Sequence, residues 1–439
     1  MKYLTPSLAI LALSGFVTTS ASAASIADDL QVKIKGYVQA RATVAASATA
    51  ADGSDVDYYS NIVPSSATPP SVTSAPGSES EVVRFGIRRI RLTFEATNST
   101  GWFSNVTLRD EPIELSGGNN NNFGVTIYQA FIGKIFRTND LEHSLKFGLD
   151  KPFHDESSIG STALLFGVDR PISTLLTFQR EPGIAYKLSA PFLRIGGDLQ
   201  NGTNVNRSAG TATSANYDAR PSPFMSFRIE VSPGEDMMPK KKTESYLGAQ
   251  GNELLLGGDW QNTGRSYAVA DQQRQMTVYG PDLLWHLNGL TMLAEFRWSR
   301  LNEEATGGAA TNEKIDGRHW GAQAGYAFIT PMGIVIEPAL RYSVMNFDHS
   351  QDEQSSWGLN TTRDNAVGNM ANVLSTPGLT SANLASGVAN LGSGAQWDVG
   401  INLYWNGFAN KTQIGYQRWS SEAGEADASA FYVQQQVMF

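Results

Sequence analysis

The chain has 439 residues, a net charge of −9, five histidines and no cysteine. No disulfide can therefore hold the fold together. It is 41% hydrophobic, yet after Leu8–Val17 no run of roughly 18 apolar residues appears, which excludes a transmembrane helix beyond the N-terminal segment.

The N-terminus reads as a secretory signal. Lys2 supplies the positive start, Leu8-Ala-Ile-Leu-Ala-Leu13 opens the apolar segment, and Ala21-Ser-Ala23 is an A-x-A cleavage site. Residues 1–23 are expected to be removed, leaving 24–439 as the mature domain.

A first strand is expected over Leu30–Arg41, where Leu30, Val32, Ile34, Val38 and Ala40 alternate with Gln31, Lys33, Lys35, Gln39 and Arg41. Residues 45–80, rich in Ala, Ser, Thr, Pro and Gly, read as a long polar loop. The second strand, Arg84–Ala96, has Ile90, Leu92, Phe94 and Ala96 on one face and Arg89, Arg91, Thr93 and Glu95 on the other. Strict alternation sends Arg88 to the apolar side, so a bulge must re-aim it or it sits beyond any lipid band. Asn98–Gly101 turns the chain into a strand carrying Asn105, Thr107 and Arg109 on its polar face. Gly117–Asn122 is a loop. A fourth strand over 125–137 is apolar on both faces, Phe131 against Ile132, and its faces cannot be assigned. Asn139-Asp140 turns into Ser144–Leu149, where Lys146 opposes three apolar residues.

Residues 150–182 form a long loop with an apolar segment, Ala163-Leu-Leu-Phe166, which should fold onto a surface such as the inside of a barrel wall. The rhythm resumes with Lys187, then Arg194, Asp198 and Gln200, then Arg228 and Glu230 on polar faces. Pro233–Lys242 reads as a wider turn, and a glycine-rich strand is expected over 244–258. Asn288-Gly289 between two alternating runs is a strong hairpin signal. Pro281 removes a ladder donor and argues for a bulge or strand end there. Glu295, Arg297, Glu337 and Arg341 continue the polar series. A loop covers 347–395, and Phe431 to Phe439 alternate to the C-terminus.

About sixteen strands, short turns alternating with long polar loops, and aromatic residues toward strand ends describe an all-β, transmembrane, antiparallel up-and-down barrel. Short turns would be periplasmic and long loops external. Such a barrel closes its sheet edge and leaves an aqueous channel.

Several segments in order resemble the phosphate-selective porin O/P family. They are Ile87-Arg-Arg-Ile-Arg-Leu-Thr-Phe94, Leu145–Phe153 with Glu156 and Ser157-Ser158, Val278–Phe296, and Trp397–Trp405 continuing to Phe439. The resemblance implies a bacterial outer-membrane porin, a homotrimer, passing small hydrophilic solutes and favouring anions such as phosphate. It implies an inward-folded constriction loop at 150–182 and a pore-lining role for Arg88 and Arg89. The family's constriction-loop lysine has no clear match among His154, Asp155, Glu156 and Lys151, which weighs against phosphate selectivity while leaving the porin expectation intact.

A pore needs charged rings and no covalent chemistry. Lumen parity selects Lys33, Lys35, Arg41, Arg89, Arg91, Lys146, Lys187, Arg194, Arg228, Arg297 and Arg341, with Arg88 from the motif and Lys151 beside the loop. Two unpaired guanidiniums about 4 Å apart repel by roughly 4 kcal/mol at an effective dielectric of 20, so the Arg88–Arg91 cluster wants a passing anion or a carboxylate. The bland reading has Glu95, Glu230, Glu295 and Glu337 neutralising the arginines within the wall. Alternatives are a plugged structural or adhesive barrel, a cation-favouring general porin, a barrel enzyme, or a secreted soluble β-protein. The five histidines, His143, His154, His286, His319 and His349, show no Ser/His spacing, so no enzyme is expected. No metal site, cofactor or nucleic-acid patch stands out, and Lys240-Lys-Lys242 reads as a solvated turn.

Overall fold

The computed structural model describes residues 29–49, 83–110, 125–153, 181–201, 223–239, 245, 247–262, 266–269, 272–305, 313–348, 394–421 and 427–439. The signal segment, most of the 45–80 and 347–395 loops, Gly117–Asn122, 154–180 and Lys240–Lys242 lie outside them.

Eighteen strand segments form one antiparallel sheet among the described residues. Two are continuations: Ser266–Val269 extends the stave begun at Asn252, and Phe328–Ile329 extends the stave ending at Tyr326, each along the same partner. That leaves sixteen staves. They are β1 Gln31–Thr49, β2 Val83–Thr97, β3 Trp102–Asp110, β4 Thr126–Thr138, β5 Leu141–Asp150, β6 Glu181–Ser189, β7 Leu193–Gln200 and β8 Phe224–Val231. The rest are β9 from Asn252–Asn262, β10 Gln272–Leu287, β11 Leu290–Ala305, β12 from Glu313–Tyr326, β13 Val335–Asp348, β14 Gly394–Asn406, β15 Asn410–Ser421 and β16 Asp427–Met438. Each pairs with its sequence neighbours, and β16 pairs with β1, so the sheet is a closed barrel.

Closure extends to the last residue. Phe439 exchanges backbone hydrogen bonds with Gly36 at 2.8 and 2.9 Å. Gly36 is where the Phe439 ring lies, since a Cβ there would stand 2.5 Å from its Cζ.

Three expectations need correction. β1 runs on to Thr49, because alanines, serines and threonines suffice once the partner strand β16 supplies the ladder as far as Asp427. β9 starts at Asn252 and reaches Asn262, so 245–251 belong to the preceding connection. Pro281 is neither at a bulge nor at an end: the β10–β11 register is the same on both sides of it, from Tyr279↔Trp298 to Asp282↔Glu295. The gap is filled by Arg297, whose Nη1 donates to Pro281 O at 2.7 Å and to Phe296 O at 2.9 Å. A side chain thus supplies a donor that proline lacks. The faces of β4 are also settled: Phe131 shares the side of Lys146, and Ile132 the opposite side.

The outer face is apolar and carries aromatic residues at two levels. Near the loop end Tyr279 stacks on Trp298 at 5.5 Å, and Tyr342 lies between Trp320 at 5.1 Å and Trp397 at 4.0 Å. Near the turn end stand Trp102, Phe136, Phe192, Tyr326 and Trp405, all exposed. Trp397 and Trp405 are eight residues apart on β14, about 27 Å along the strand and roughly 20 Å along an axis tilted by about 40°. That matches an apolar band about 25 Å tall between aromatic girdles.

Gly36→Ala should halve, at least, the yield of folded, heat-modifiable barrel. Gly258→Ala should not, because its Cβ would meet nothing nearer than 3.9 Å. Electrophoretic mobility before and after boiling reads both.

Candidate pore-lining surface

The inner face divides into two unlike halves. On β1 to β4 the chain uses bulges to concentrate cations and tyrosines. The β1–β2 ladder pairs Gln39 with Arg89 and Ala40 with Ile87, skipping Arg88. One extra residue therefore breaks the alternation that would have sent Arg88 toward lipid. The β3–β4 ladder skips Tyr128 in the same way, between Thr107↔Gln129 and Leu108↔Ile127. Tyr128 is buried, and its ring meets Arg91 at 4.0 Å and Arg109 at 4.7 Å.

Arg91 and Arg109 face each other directly across β2–β3. Like charges in that position repel, and the shared tyrosine face offsets this by cation–π attraction. Arg91 also lies 5.7 Å from the Tyr37 ring and Arg41 5.8 Å from that of Tyr432. Amides complete the patch. Arg89 donates to Gln39 Oε1 at 3.3 Å, Gln39 to Gln436 at 2.7 Å, and Arg41 donates twice to Gln434 Oε1.

On β8 to β14 the arginines are held by carboxylates. Arg228 grips Asp282 with both Nη atoms, at 2.6 and 2.8 Å, and donates Nε to Glu230 at 2.6 Å. Arg297 reaches Asp282 at 2.8 Å and Asp259 at 3.1 Å. Arg341 donates to Asp398 at 2.8 Å, and Arg194 lies 3.5 Å from Glu230. Arg228, Arg297 and Arg341 are each only 2% exposed. Gly257 explains why β9 is rich in glycine: a Cβ there would stand 2.2 Å from Asp282 Oδ1 and 2.4 Å from Arg228 Nη2. Its missing side chain lets β8 reach β10 across β9.

The remaining sequence-selected cations are distributed between these halves. Lys146 binds Asp150 at 2.6 Å and lies over the Phe131 ring. Lys35 binds Glu95 at 2.6 Å and is largely exposed, as is Lys33; Lys187 and Lys151 are half-buried. Asp150 also accepts from Gln129 and from the Lys151 amide. From there the chain heads inward. The Phe153 amide donates to Asp198 Oδ2 at 2.8 Å and Ser226 Oγ at 2.9 Å, both on the inner wall, and its ring lies against Gly196. Ser226 in turn donates to Asp198.

Arg109 and Tyr128 are the members of the patch that sequence reasoning missed. Arg109 was visible as a polar-face residue of its strand, but its position opposite Arg91 needs the register. Tyr128 was hidden by its bulge. A Ser–His contact was missed as well: Ser299 Oγ and His319 Nε2 lie 3.0 Å apart. They are 2% and 0% exposed, so that hydroxyl faces packed wall rather than solute.

No family model and no curated protein sequence matches the chain. Among solved structures it is similar to the outer-membrane channel DcaP of Acinetobacter baumannii, at 12% identity and TM-score 0.50, covering 94% of this chain and 98% of that one. It is similar also to an anion-selective porin from Comamonas acidovorans, at 9% identity and TM-score 0.52, covering 94% and 100%. At such identities the likeness establishes a shared fold, the sixteen-stranded porin barrel.

Arg297→Ala should cost about 3–5 kcal/mol, because it leaves buried carboxylates short of a partner. Arg300→Ala, which breaks the exposed pair with Asp316, should cost about 1 kcal/mol or less. Denaturant midpoints of the folded barrel in detergent would separate the two.

Proposed function

We propose that the chain is an outer-membrane porin, exported by its N-terminal signal, that passes small hydrophilic solutes and favours anions. One observation carries this reading: Arg41, Arg88, Arg89, Arg91 and Arg109 gather on three adjacent staves, with two bulges adding Arg88 and Tyr128 to the cluster. Their described contacts include rings and amides, which orient the guanidiniums. The arginines of β8 to β14 sit in carboxylate pairs and contribute little net field. An anion passing β1–β3 would meet a concentration of planar, bidentate donors. The net charge of −9 does not oppose this, because charges further than about 8–10 Å are screened at physiological salt.

The two solved channels add support at the level of fold, and the Comamonas protein is itself described as anion-selective. Phosphate as the preferred anion, a homotrimer, and an inward loop at 150–182 follow from the resemblance to the O/P family. The last is supported by the inward course of Asp150–Phe153. Arg88, Arg89, Arg91 and Arg41 are the cations assigned to the permeation path, with Arg109 added. Lys33, Lys35, Lys146, Lys151, Lys187 and Arg194 flank it.

The reversal potential across a bilayer in a salt gradient tests the reading. Anion preference is expected, and Arg91→Ala with Arg109→Ala should lower the anion-to-cation permeability ratio about threefold to fivefold. Two charges about 8 Å from the ion are together worth about 1 kcal/mol in water before screening. Replacing the neutral pair, Arg341→Gln with Asp398→Asn, should leave the ratio unchanged. Cation preference in the unaltered protein would overturn the anion assignment.

A further inference from the structure

Lys134 faces outward from the barrel wall. It pairs with Trp102 on β3 and Leu145 on β5, and it shares the outward parity of Ile132 and Phe136 on β4. Its ammonium lies 5.0 Å from the centre of the Trp102 ring. Two residues nearer the turn, Phe136 stacks on His143 with ring centres 4.8 Å apart and planes 2° apart. The two-residue turn Asn139-Asp140, with Asn139 at φ +54°, fixes the register that sets these two rings opposite each other. His143 Nδ1 lies 2.7 Å from the Tyr186 hydroxyl on β6. Four adjacent staves thus bring an ammonium, an imidazole, a phenol and two aromatic rings to the turn end of the outer face.

The surroundings of the cluster are apolar. Toward the middle of the wall, on the same parity, stand Ile132, Phe147 and Ile184, the last two exposed. Among the described residues, the outward parity of the turn-side half of β3 to β7 holds no carboxylate. The carboxylates at the adjoining turn are Asp140, which is exposed, and Glu142, which Arg137 takes at 2.8 Å. A lysine on a lipid-facing wall is costly at the midplane and tolerated near the interface. Lys134 therefore belongs at headgroup level, where Trp102 and Phe136 also stand. Contact with an aromatic face holds the ammonium without using its three N–H donors. When the Tyr186 hydroxyl donates to Nδ1 of His143, Nε2 carries the ring proton and is left as a donor.

Resting on the outer-membrane reading, we propose that this patch seats one anionic phospholipid. Its phosphate takes Lys134 and His143 as donors, and an acyl chain lies along Ile132, Phe147 and Ile184. Lys134 and His143 are diagonal neighbours across β4–β5, about 7–8 Å apart at Cα. The flexible lysine stem lets the ammonium move between the indole and a phosphate oxygen. A charge-assisted hydrogen bond to phosphate is the strong kind. A free phosphate would use the donors and leave the apolar residues without a partner. A zwitterionic headgroup would bring a cation of its own, which the outward face of these staves meets with no carboxylate.

Native mass spectrometry of the folded barrel in detergent, titrated with phosphatidylglycerol or with phosphatidylcholine, tests the seat. One phosphatidylglycerol per chain should bind about fivefold more tightly than one phosphatidylcholine, the worth of a basic side chain at an anionic lipid surface. Lys134→Gln with His143→Gln should abolish that preference, and Lys134→Arg should keep it. Arg137→Gln with Glu142→Gln removes a neutral pair on the inward parity of the same hairpin and should leave it unchanged. Should the double variant at Lys134 and His143 not fold, His143→Gln alone should lower the preference about twofold by removing one phosphate donor. Equal binding of the two lipids, or a preference that survives loss of both donors, would overturn the seat. Displacement of the lipid by millimolar inorganic phosphate would overturn it too, in favour of a free-anion site. A barrel that shows the preference and passes no current loses the channel reading and keeps the seat. One that conducts without the preference loses the seat alone.

Discussion

The requirement that every backbone donor and acceptor in the apolar band find a partner inside the sheet governs this molecule. It explains why β16 must return to β1, and why the final residue is still exchanging hydrogen bonds with Gly36. It also explains the treatment of Pro281. A proline in mid-strand breaks the ladder, and an apolar outer face brings no water to repair the break. The repair comes from within, through the guanidinium of Arg297. That same guanidinium holds Asp282 and Asp259, so one side chain joins the continuity of the backbone to the electrostatics of the wall.

Given a closed wall, the remaining freedom lies in what the inner face does with its charges. On β8 to β14 they are paired off, and pairing needs space, which Gly257 provides. Each such pair gains Coulomb energy against a desolvation cost, and its net effect is to fix geometry more than to add stability. On β1 to β4 the described contacts of the cations are with aromatic rings and amides.

The barrel was legible because alternation is a local property that survives without knowledge of partners. Ile90, Leu92 and Phe94 against Arg89, Arg91 and Thr93 needed no register to be read. What escaped depends on registry between strands or on one-residue shifts. The Arg91–Arg109 opposition and the Arg228–Asp282 reach across Gly257 are cross-strand facts. Tyr128 sits at a bulge with no residue signature of its own. Arg88 was flagged only because its parity was wrong for a cation. The start of strand nine was misplaced because the sequence before Asn252 has a polar and glycine-rich composition that suits a connection as well as a strand. The leucines beneath Met238, Leu284 and Leu293, looked ordinary beside their outward neighbours Leu283 and Met292. Only the placement of Met238 reveals that they face inward for a reason.

The bulges at Arg88 and Tyr128 amount to phase shifts. In a strand of period two, the face a side chain occupies depends on how many residues precede it, odd or even. A single inserted residue, absorbed locally, turns an outward position into an inward one without altering any neighbouring side chain's identity. The charge of this lumen is therefore written partly in counting. Two such barrels identical but for one residue inserted at a bulge would present different inner walls.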